Sequence, residues 1–238
     1  MAVKTLTIDG RPLTAPDDAT ILDVCQEAGI ALPTLCHLDG VGDVGACRLC
    51  LVEIAGSPKL FPACTTRVAE GMEVTTNSPR LQHYRRLTLE LLFAERNHVC
   101  AVCVANGQCE LQSLAADCGV DHVRYDYQTP ACDVDQSHPL FGMDHNRCIL
   151  CSRCVRVCWQ IEGAATKGVT GRGSHSRIAT DLNQPWGDSD TCSWCGKCVM
   201  GCPTGALFYR GAATGEMLHD RSRLEAIVNA RETKQWNA

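Results

Sequence analysis

Cysteines recur at one spacing in two runs of the second half of the sequence. Each run follows the pattern C-x2-C-x2-C-x3-C, and the second run ends in Cys-Pro. In bacterial ferredoxins, three cysteines of such a run hold one [4Fe–4S] cluster and the fourth reaches the cluster of the other run. We therefore predict two [4Fe–4S] clusters, one held by Cys148, Cys151, Cys154 and Cys202 and the other by Cys192, Cys195, Cys198 and Cys158.

Structural zinc sites are the alternative for these two runs. A zinc site uses two Cys-x2-Cys knuckles and four ligands in all. The third cysteine of each run and the final Cys-Pro have no role in that scheme, so the spacing favours iron–sulfur clusters. A zinc-stabilised interaction protein is kept as the remote alternative for the whole chain.

Four further cysteines lie near the N-terminus with the spacing C-x10-C-x2-C-x13-C. Plant-type ferredoxins have the same order, with a shorter first gap and a distant fourth cysteine. The pattern predicts a [2Fe–2S] cluster, with a four-cysteine zinc site as the alternative. His37 adjoins the first cysteine, but with four thiols at hand we place it outside the ligand set. The predicted ligands are Cys36, Cys47, Cys50 and Cys64.

The loop between the first two of these cysteines matches the dinucleotide fingerprint G-x-G-x-x-G at residues 40–45. That fingerprint binds a dinucleotide only when it follows a strand and opens a helix. Here Cys36 precedes it and Cys47 follows two residues after its last glycine. We interpret the match as accidental, and the glycines as the means by which backbone N–H groups approach the sulfurs.

A third set of cysteines has only three members, spaced C-x2-C-x5-C. A cubane needs a fourth ligand, and His98 is the nearest candidate. Exchange of thiolate for imidazole raises the reduction potential in Rieske centres. The alternatives are a zinc site, a [3Fe–4S] cluster, and a histidine that only interacts with a helix end. The predicted ligands of a third [4Fe–4S] cluster are His98, Cys100, Cys103 and Cys109.

The elements around the first cysteine set follow from local patterns. Residues 3–8 are rich in β-formers, and a turn signal follows at residues 9–12. A helix is predicted from about Ile21 to Glu27, capped by Asp17, Asp18 or Thr20 and ended by Gly29. A hairpin followed by a helix predicts a β-grasp fold.

A long helix is predicted from Pro79 to about Arg96, with Ser78 as its cap. Its apolar stripe comprises Leu81, Tyr84, Leu87, Leu91 and Leu92, with Arg85 and Glu90 among the residues off the stripe. Near the C-terminus, a second helical stripe is formed by Met217, Leu218, Leu224, Ile227 and Val228.

The composition limits the class of protein. The 238-residue chain has 18 cysteines, far above the usual share. We find no signal-peptide pattern and no membrane-spanning stretch. We therefore expect a cytoplasmic chain whose thiols stay reduced and bind metal. The net charge of −5 argues against a nucleic-acid partner. Three cysteines outside the motifs are interpreted as buried thiols without a disulfide, namely Cys25, Cys118 and Cys132.

Together the patterns predict an α+β chain of four segments. A [2Fe–2S] ferredoxin-type domain covers residues 1–78, and a segment with a long helix and the histidine-containing cluster covers 79–118. A double [4Fe–4S] domain of the bacterial ferredoxin type covers 119–210, and a helical tail covers 211–238.

The order of these motifs, with the phrases Glu95-Arg96-Asn97-His98-Val99-Cys100 and Cys109-Glu110-Leu111-Gln112, supports a family resemblance over about residues 3–209. The chain resembles the N-terminal half of the large iron–sulfur subunit of respiratory complex I and the relay part of large [FeFe] hydrogenases. It most closely resembles the small diaphorase subunits of soluble NAD-reducing [NiFe] hydrogenases. One departure is that complex I has three residues between the histidine and the first cysteine, where this chain has Val99 alone.

The resemblance implies an electron relay in a heteromeric enzyme that catalyses reversible H2:NAD+ oxidoreduction, with no substrate site in this chain. The implied partners are a flavin- and NAD-binding diaphorase subunit and the small and large [NiFe] hydrogenase subunits. The ferredoxin-type domain is expected to face the hydrogenase, and the [2Fe–2S] domain the flavin. Little chain follows Cys202, so we expect no further catalytic domain. The alternative is a relay subunit of another NAD-linked complex, such as a formate dehydrogenase or a complex I-like enzyme.

Overall fold

The computed structural model describes residues 2–218 and 220–233, and the chain divides into two compact units. The first unit comprises the residues up to His37, Asp43–Glu90 and Leu114–Asp121. The second comprises Leu38–Gly42, Leu91–Ser113 and the residues from His122 onward. The predicted α+β class is confirmed. No helix within the described ranges is both long and apolar enough to cross a membrane.

Five strands of the first unit form one mixed sheet. They are β1 (Val3–Ile8), β2 (Arg11–Pro16), β3 (Leu51–Ile54), β4 (Leu60–Pro62) and β5 (Met72–Thr75). The order across the sheet is β2-β1-β5-β3-β4, with β1 parallel to β5 and the other pairs antiparallel. The β1–β2 turn consists of Asp9 and Gly10, both at positive φ, which suits a tight hairpin with right-handed strand twist. This is the predicted β-grasp arrangement.

Helix α1 (Ile21–Glu27) begins at a capping box formed by Thr20 and Asp23. The Asp23 N–H donates to Thr20 Oγ1 at 3.2 Å, and the Thr20 N–H donates to Asp23 Oδ2 at 2.8 Å. These two bonds satisfy amide groups that a helix end leaves unpaired. Thr20 is thus the cap among the three candidates, and Cys25 lies in the core as predicted.

Helix α2 (Pro79–Glu95) begins where it was predicted, with Ser78 Oγ accepting from the Leu81 N–H at 3.2 Å. The predicted stripe is wrong in part, because Tyr84 and Leu91 are exposed whereas Arg85 and Glu90 are buried. The Arg85 guanidinium is buried because it donates to three backbone carbonyls, at 2.7–3.2 Å. The acceptors belong to Leu49, Leu51 and Thr76.

Helix α3 (Glu110–Asp117) follows the third cysteine set. The remaining elements belong to the second unit and are short; they are β6 (Val134–Asp135), β7 (Phe141–Asp144), α4 (Arg153–Arg156), β8 (Lys167–Thr170), β9 (Arg177–Thr180), α5 (Lys197–Gly201), β10 (Leu207–Tyr209) and α6 (Ser222–Thr233). Strands β10, β7 and β6 form an antiparallel sheet in that order, and β8 and β9 form a hairpin. Helix α4 continues directly into a π-helical turn over Val157–Glu162.

The C-terminal stripe is confirmed only within α6. Leu224 is buried against Val41 and Val157 in the second unit. Met217 is buried but precedes the helix, and Leu218 is exposed. The last five residues of the predicted tail, 234–238, lie outside the described residues. Cys118 and Cys132 are half-buried rather than buried, and all 18 cysteines are free of disulfides.

We predict that Arg85→Met destabilises the chain by about 2 kcal/mol or more, because three buried carbonyl groups lose a charged donor. Chemical denaturation of the purified chain, followed by circular dichroism, measures this change. Arg86→Met is the matched control, because its side chain is exposed on the same helix and such changes stay within about 0.5 kcal/mol. Equal stability of the two variants would contradict this role of Arg85.

Candidate metal centres

The four N-terminal cysteines converge in the first unit. All four are buried, and the thiols of Cys47 and Cys64 hydrogen-bond to that of Cys36, which lowers the pKa of Cys36. Two backbone amides also reach the sulfurs. The Leu35 N–H donates to Cys47 Sγ at 3.4 Å, and the Cys47 N–H donates to Cys36 Sγ at 3.5 Å. Amide donors and close thiols are what a bound iron–sulfur cluster requires.

The glycine-rich loop between Cys36 and Cys47 does not open a helix. The next regular element is β3, so the dinucleotide interpretation fails for the reason predicted from the sequence. His37 lies in this loop with Nδ1 at 2.9 Å from Asp43 Oδ2 and Nε2 at 3.2 Å from Gln26 Nε2. Both ring nitrogens are therefore engaged elsewhere, which agrees with leaving His37 out of the ligand set.

His98 and the third cysteine set line one cavity in the second unit, which we call the histidine cavity. It is also lined by Phe93, Arg147, Thr204 and Gly205. Cys100 begins a short 3-10 turn, Cys100–Val102. The turn ends where the Cys103 N–H donates to the Cys100 carbonyl, which brings these two cysteines close together. The structure thus brings together His98, Cys100, Cys103 and Cys109.

The imidazole of His98 has the hydrogen bonding and the pKa that a metal ligand needs. Its Nε2 atom is buried and has no hydrogen-bond partner in the described part of the chain. The other ring nitrogen hydrogen-bonds to the Leu92 carbonyl. Burial, and then the charge of Arg147, lower the pKa of His98 to about 4. In most metal-bound histidines the ring is neutral, one nitrogen donates to a backbone or carboxylate oxygen, and the other binds the metal. His98 has the first of these bonds, and its Nε2 atom is available for the second.

Two more cavities contain the ferredoxin-type runs, and each combines three cysteines of one run with the fourth of the other. The inner cavity is lined by Cys148, Cys151, Cys154 and Cys202. The outer cavity is lined by Cys158, Cys192, Cys195 and Cys198. These are the sets that the spacing predicts, while their role as ligands stays a prediction. Among the described residues, no three His, Cys, Asp or Glu side chains are arranged to hold a single metal ion.

The backbone of both runs adopts the same unusual conformation. Leu150 and Ser152 flank Cys151 at positive φ, and Trp194 and Gly196 flank Cys195 in the same way. Alternation of this kind turns successive N–H groups to one side and forms an anion-binding concavity. The amide of Leu150 accordingly hydrogen-bonds to the Cys148 sulfur. No sequence signal predicts this conformation, because only one of the four residues is a glycine.

The inner and outer cavities share two short helices. Cys154 in α4 lines the inner cavity, and Cys158, one turn later, lines the outer one. In α5 the order is reversed, with Cys198 in the outer cavity and Cys202, just beyond the helix, in the inner one. One helical turn is about 5.4 Å long, so the two sites lie close together.

The histidine cavity and the inner cavity share a wall formed by residues 202–205. Thr204 lines both cavities. The Pro203 carbonyl accepts from the Glu110 N–H at 3.0 Å and from Cys109 Sγ at 3.7 Å. At Gly205, an added Cβ would lie 2.5 Å from Cys103 Sγ. The wall is therefore one chain segment thick, and it needs a glycine where it faces the sulfur.

A partly buried ion pair joins the two cysteine segments on either side of this wall. Arg153, which is 2 % exposed, donates twice to the Glu110 carboxylate at 2.9 Å. Arg221 also contacts Glu110. A two-point arginine–carboxylate pair fixes orientation as well as distance. No local sequence pattern predicts this network, because its members are far apart along the chain.

Family models match three successive regions of the chain. Residues 3–79 match a 2Fe-2S iron-sulfur cluster binding domain. Residues 85–124 match the iron-sulfur binding region of NADH-ubiquinone oxidoreductase-G, and residues 138–208 match the ferredoxin-like domain of NADH-quinone oxidoreductase subunit 3.

The gamma subunit of the NAD-reducing hydrogenase HoxS from Cupriavidus necator is 37% identical over 177 residues, which are 74% of this chain and 75% of the relative. This chain belongs to the family of NAD-reducing hydrogenase gamma subunits. A solved structure of an NAD+-reducing [NiFe]-hydrogenase in the H2-reduced state contains a chain with 35% identity and a TM-score of 0.82, and the match covers 88% of each chain.

Longer proteins contain relatives of the gamma-subunit family. The alpha subunit of the NADPH-Fe(3+) oxidoreductase of Geobacter sulfurreducens is 39% identical over 85% of this chain, but the match covers only 24% of that relative. This chain spans about a quarter to a third of the length of the first curated relatives that it matches.

We predict that Gly205→Ala lowers the cluster content of the histidine cavity, because the new methyl group would overlap Cys103 Sγ. Iron analysis should fall from about 14 toward about 10 per chain, which is the loss of one four-iron cluster. Gly168→Ala is the control, because a Cβ there meets no atom within 4 Å. Full iron content in Gly205→Ala would contradict this geometry.

We further predict that His98→Cys keeps a cubane but lowers its reduction potential, because a thiolate adds negative charge where a neutral imidazole stood. A redox titration followed by electron paramagnetic resonance measures this shift. His98→Ala should lose the cluster or leave a three-iron form, and His83→Ala, on the exposed face of α2, should change neither property. An unchanged potential in His98→Cys would exclude His98 as a ligand.

Proposed function

We propose that this chain is the iron–sulfur electron-relay subunit of an NAD-reducing [NiFe] hydrogenase. In this proposal it passes electrons between the hydrogenase subunits and a flavin- and NAD-binding diaphorase subunit during reversible H2:NAD+ oxidoreduction. The observation that carries the proposal is the row of three four-ligand cavities in the second unit. The histidine cavity and the inner cavity share the wall of residues 202–205, and the inner and outer cavities share helices α4 and α5.

The proposed cofactors are one [2Fe–2S] cluster and three [4Fe–4S] clusters. The donor chemistry supports this assignment, because every set has three or four buried or half-buried thiols and thiolates favour iron–sulfur clusters or zinc. The unpartnered Nε2 of His98 and the small residue at Gly205 support the cluster in the histidine cavity. The three family models concern iron–sulfur domains, which favours iron over zinc.

When bound, such clusters accept and release single electrons. The chain itself supplies their positions, an apolar environment and hydrogen bonds to sulfur. The inner cavity is lined by apolar side chains such as Met143, Ile149, Ile178 and Leu207. Low polarity around a cluster excludes water, and amide donors stabilise its charge. Together these features set the potential of each site.

The partners are proposed from the relatives. The HoxS gamma subunit and the matched chain of the solved NAD+-reducing hydrogenase belong to multi-subunit enzymes of this name. We infer the same association for this chain, with the second unit toward the hydrogenase subunits and the first unit toward the flavin. A cytoplasmic location is part of the proposal, because its free thiols need a reducing compartment.

A relay subunit of another NAD(P)H-linked oxidoreductase is the second candidate. It is favoured by the 39% identity to the NADPH-Fe(3+) oxidoreductase alpha subunit. The metal that copurifies with the native complex separates the two candidates. Nickel supports a hydrogenase, whereas molybdenum or tungsten supports a formate dehydrogenase.

The relay itself is tested in the native complex with Cys36→Ser and Cys148→Ser. We expect each variant to lose coupled H2-dependent NAD+ reduction, because one carrier is missing. Each partner should keep its own half-reaction with an artificial acceptor. Cys118→Ser is the control, because Cys118 lies outside every proposed ligand set. If the coupled rate stays intact in a variant that lacks its cluster, that cluster is not on the path. An iron-free native chain would end the whole proposal.

A further inference from the structure

One lysine is buried in the lining of the outer cavity. Lys167, the first residue of β8, is 4 % exposed, and it lines the cavity together with Cys158, Cys192, Cys195 and Cys198. Lysine is rarely buried unless its charge is compensated. Its position is therefore a cost that the site has to offset.

Lys167 has two close contacts inside the protein. Its Nζ atom donates to Thr180 Oγ1 at 2.8 Å. The same atom lies 3.3 Å from the centre of the Trp186 ring. The second contact is a cation–π interaction, which is stronger away from water, and Trp186 is only 1 % exposed.

The indole of Trp186 connects the lysine to a sulfur. Its Nε1–H donates to Cys192 Sγ at 3.3 Å. A cation over the ring face draws electron density from the indole, which makes its N–H a stronger donor, since linked polar groups polarise one another. Lys167, Trp186 and Cys192 therefore form one chain of contacts.

Burial lowers the pKa of Lys167 below its usual value, and the negative charges of Cys198, Cys154, Cys192 and Asp135 act in the opposite direction. The Asp135 carboxylate also accepts two backbone hydrogen bonds, one from the main-chain N–H of Trp186 at 2.7 Å and one from the main-chain N–H of Ser137. The ammonium therefore faces sulfurs on one side and an indole on the other.

The lining of the inner cavity contains no cationic side chain and no indole. Besides its four cysteines, it is lined by apolar residues, a proline and two hydroxyl-bearing residues, Ser152 and Thr204. Arg153 acts on Cys151 from outside this lining, but its guanidinium is paired with the Glu110 carboxylate. The two ferredoxin-type sites have the same four thiols and the same backbone turns, and their linings differ in the lysine and the indole of the outer cavity.

We propose that Lys167, acting in part through Trp186, raises the reduction potential of the outer-cavity cluster above that of the inner-cavity cluster. A cluster gains one negative charge on reduction, and a nearby cation or a donor to sulfur stabilises that state in a low-dielectric site. One electron leaves the inner-cavity cluster, which is oxidised, and reduces the outer-cavity cluster, with no proton transferred. The outer site is then where an electron rests between transfers. This inference rests on the relay proposed above, and Lys167 is a positioning residue in it.

The test uses Lys167→Met and Lys167→Arg in the native complex, with a redox titration followed by electron paramagnetic resonance. The outer-cavity signal is assigned as the one lost in Cys195→Ser. We expect Lys167→Met to make that cluster at least tenfold harder to reduce, which is 59 mV for one electron. Lys167→Arg should keep most of the native potential, and Trp186→Phe should shift it in the same direction as Lys167→Met by less.

Lys59→Met is the control, because Lys59 is exposed in the first unit and its loss should leave all potentials unchanged. The signal of the histidine-cavity cluster is an internal reference, because Lys167 does not line that cavity. The inference is overturned if the equilibrium constant for reducing the outer-cavity cluster changes less than threefold in Lys167→Met. Loss of the outer-cavity cluster in both Lys167 variants also overturns it, in favour of a structural role. A native chain without clusters refutes the relay instead, so the two failures are distinguishable.

Discussion

Buried thiols must carry negative charge in this protein if they are to bind metal, and this requirement governs the second unit. Burial raises the pKa of Cys148 to about 11 and that of Cys151 and Cys198 to about 12. Without metal these groups are therefore protonated at neutral pH, and four thiolates cannot share one cavity unless positive charge joins them. Binding of the proposed clusters would consequently be coupled to folding of the short elements around the cavities. The left-handed turns, the amide donors to sulfur and the buried cations all stabilise negative charge on the thiolates.

The cysteine spacing predicted the contents of each cavity because spacing within a loop is a local property. Thr20 and Ser78 were identifiable for the same reason, since a cap acts on residues two or three positions away. Arg85 was assigned to the wrong face of α2, because the carbonyl groups that hold it belong to residues distant in sequence. Lys167, Gly205 and Glu110 were missed on the same grounds. Their roles depend on contacts across the chain, which no local pattern records.

The relatives show the same contrast between local and distant features. Three family models follow one another along the chain in the order of the predicted cysteine sets. The corresponding region occurs in relatives that are about two and a half to three and a half times as long. In those relatives the region is therefore joined to further sequence. The cysteine sets that the models cover are local motifs, whereas Lys167 lies beside the motifs and not in them.

The segment of residues 202–205 separates two sites with a single stretch of backbone. Filling of either cavity fixes this segment, because Cys202 belongs to the inner cavity and Gly205 to the histidine cavity. If the proposed clusters bind here, the first to arrive would reduce the entropy that the second must overcome. Assembly of these neighbouring centres would then be cooperative, and chains with one cluster of the two would be the least favoured species.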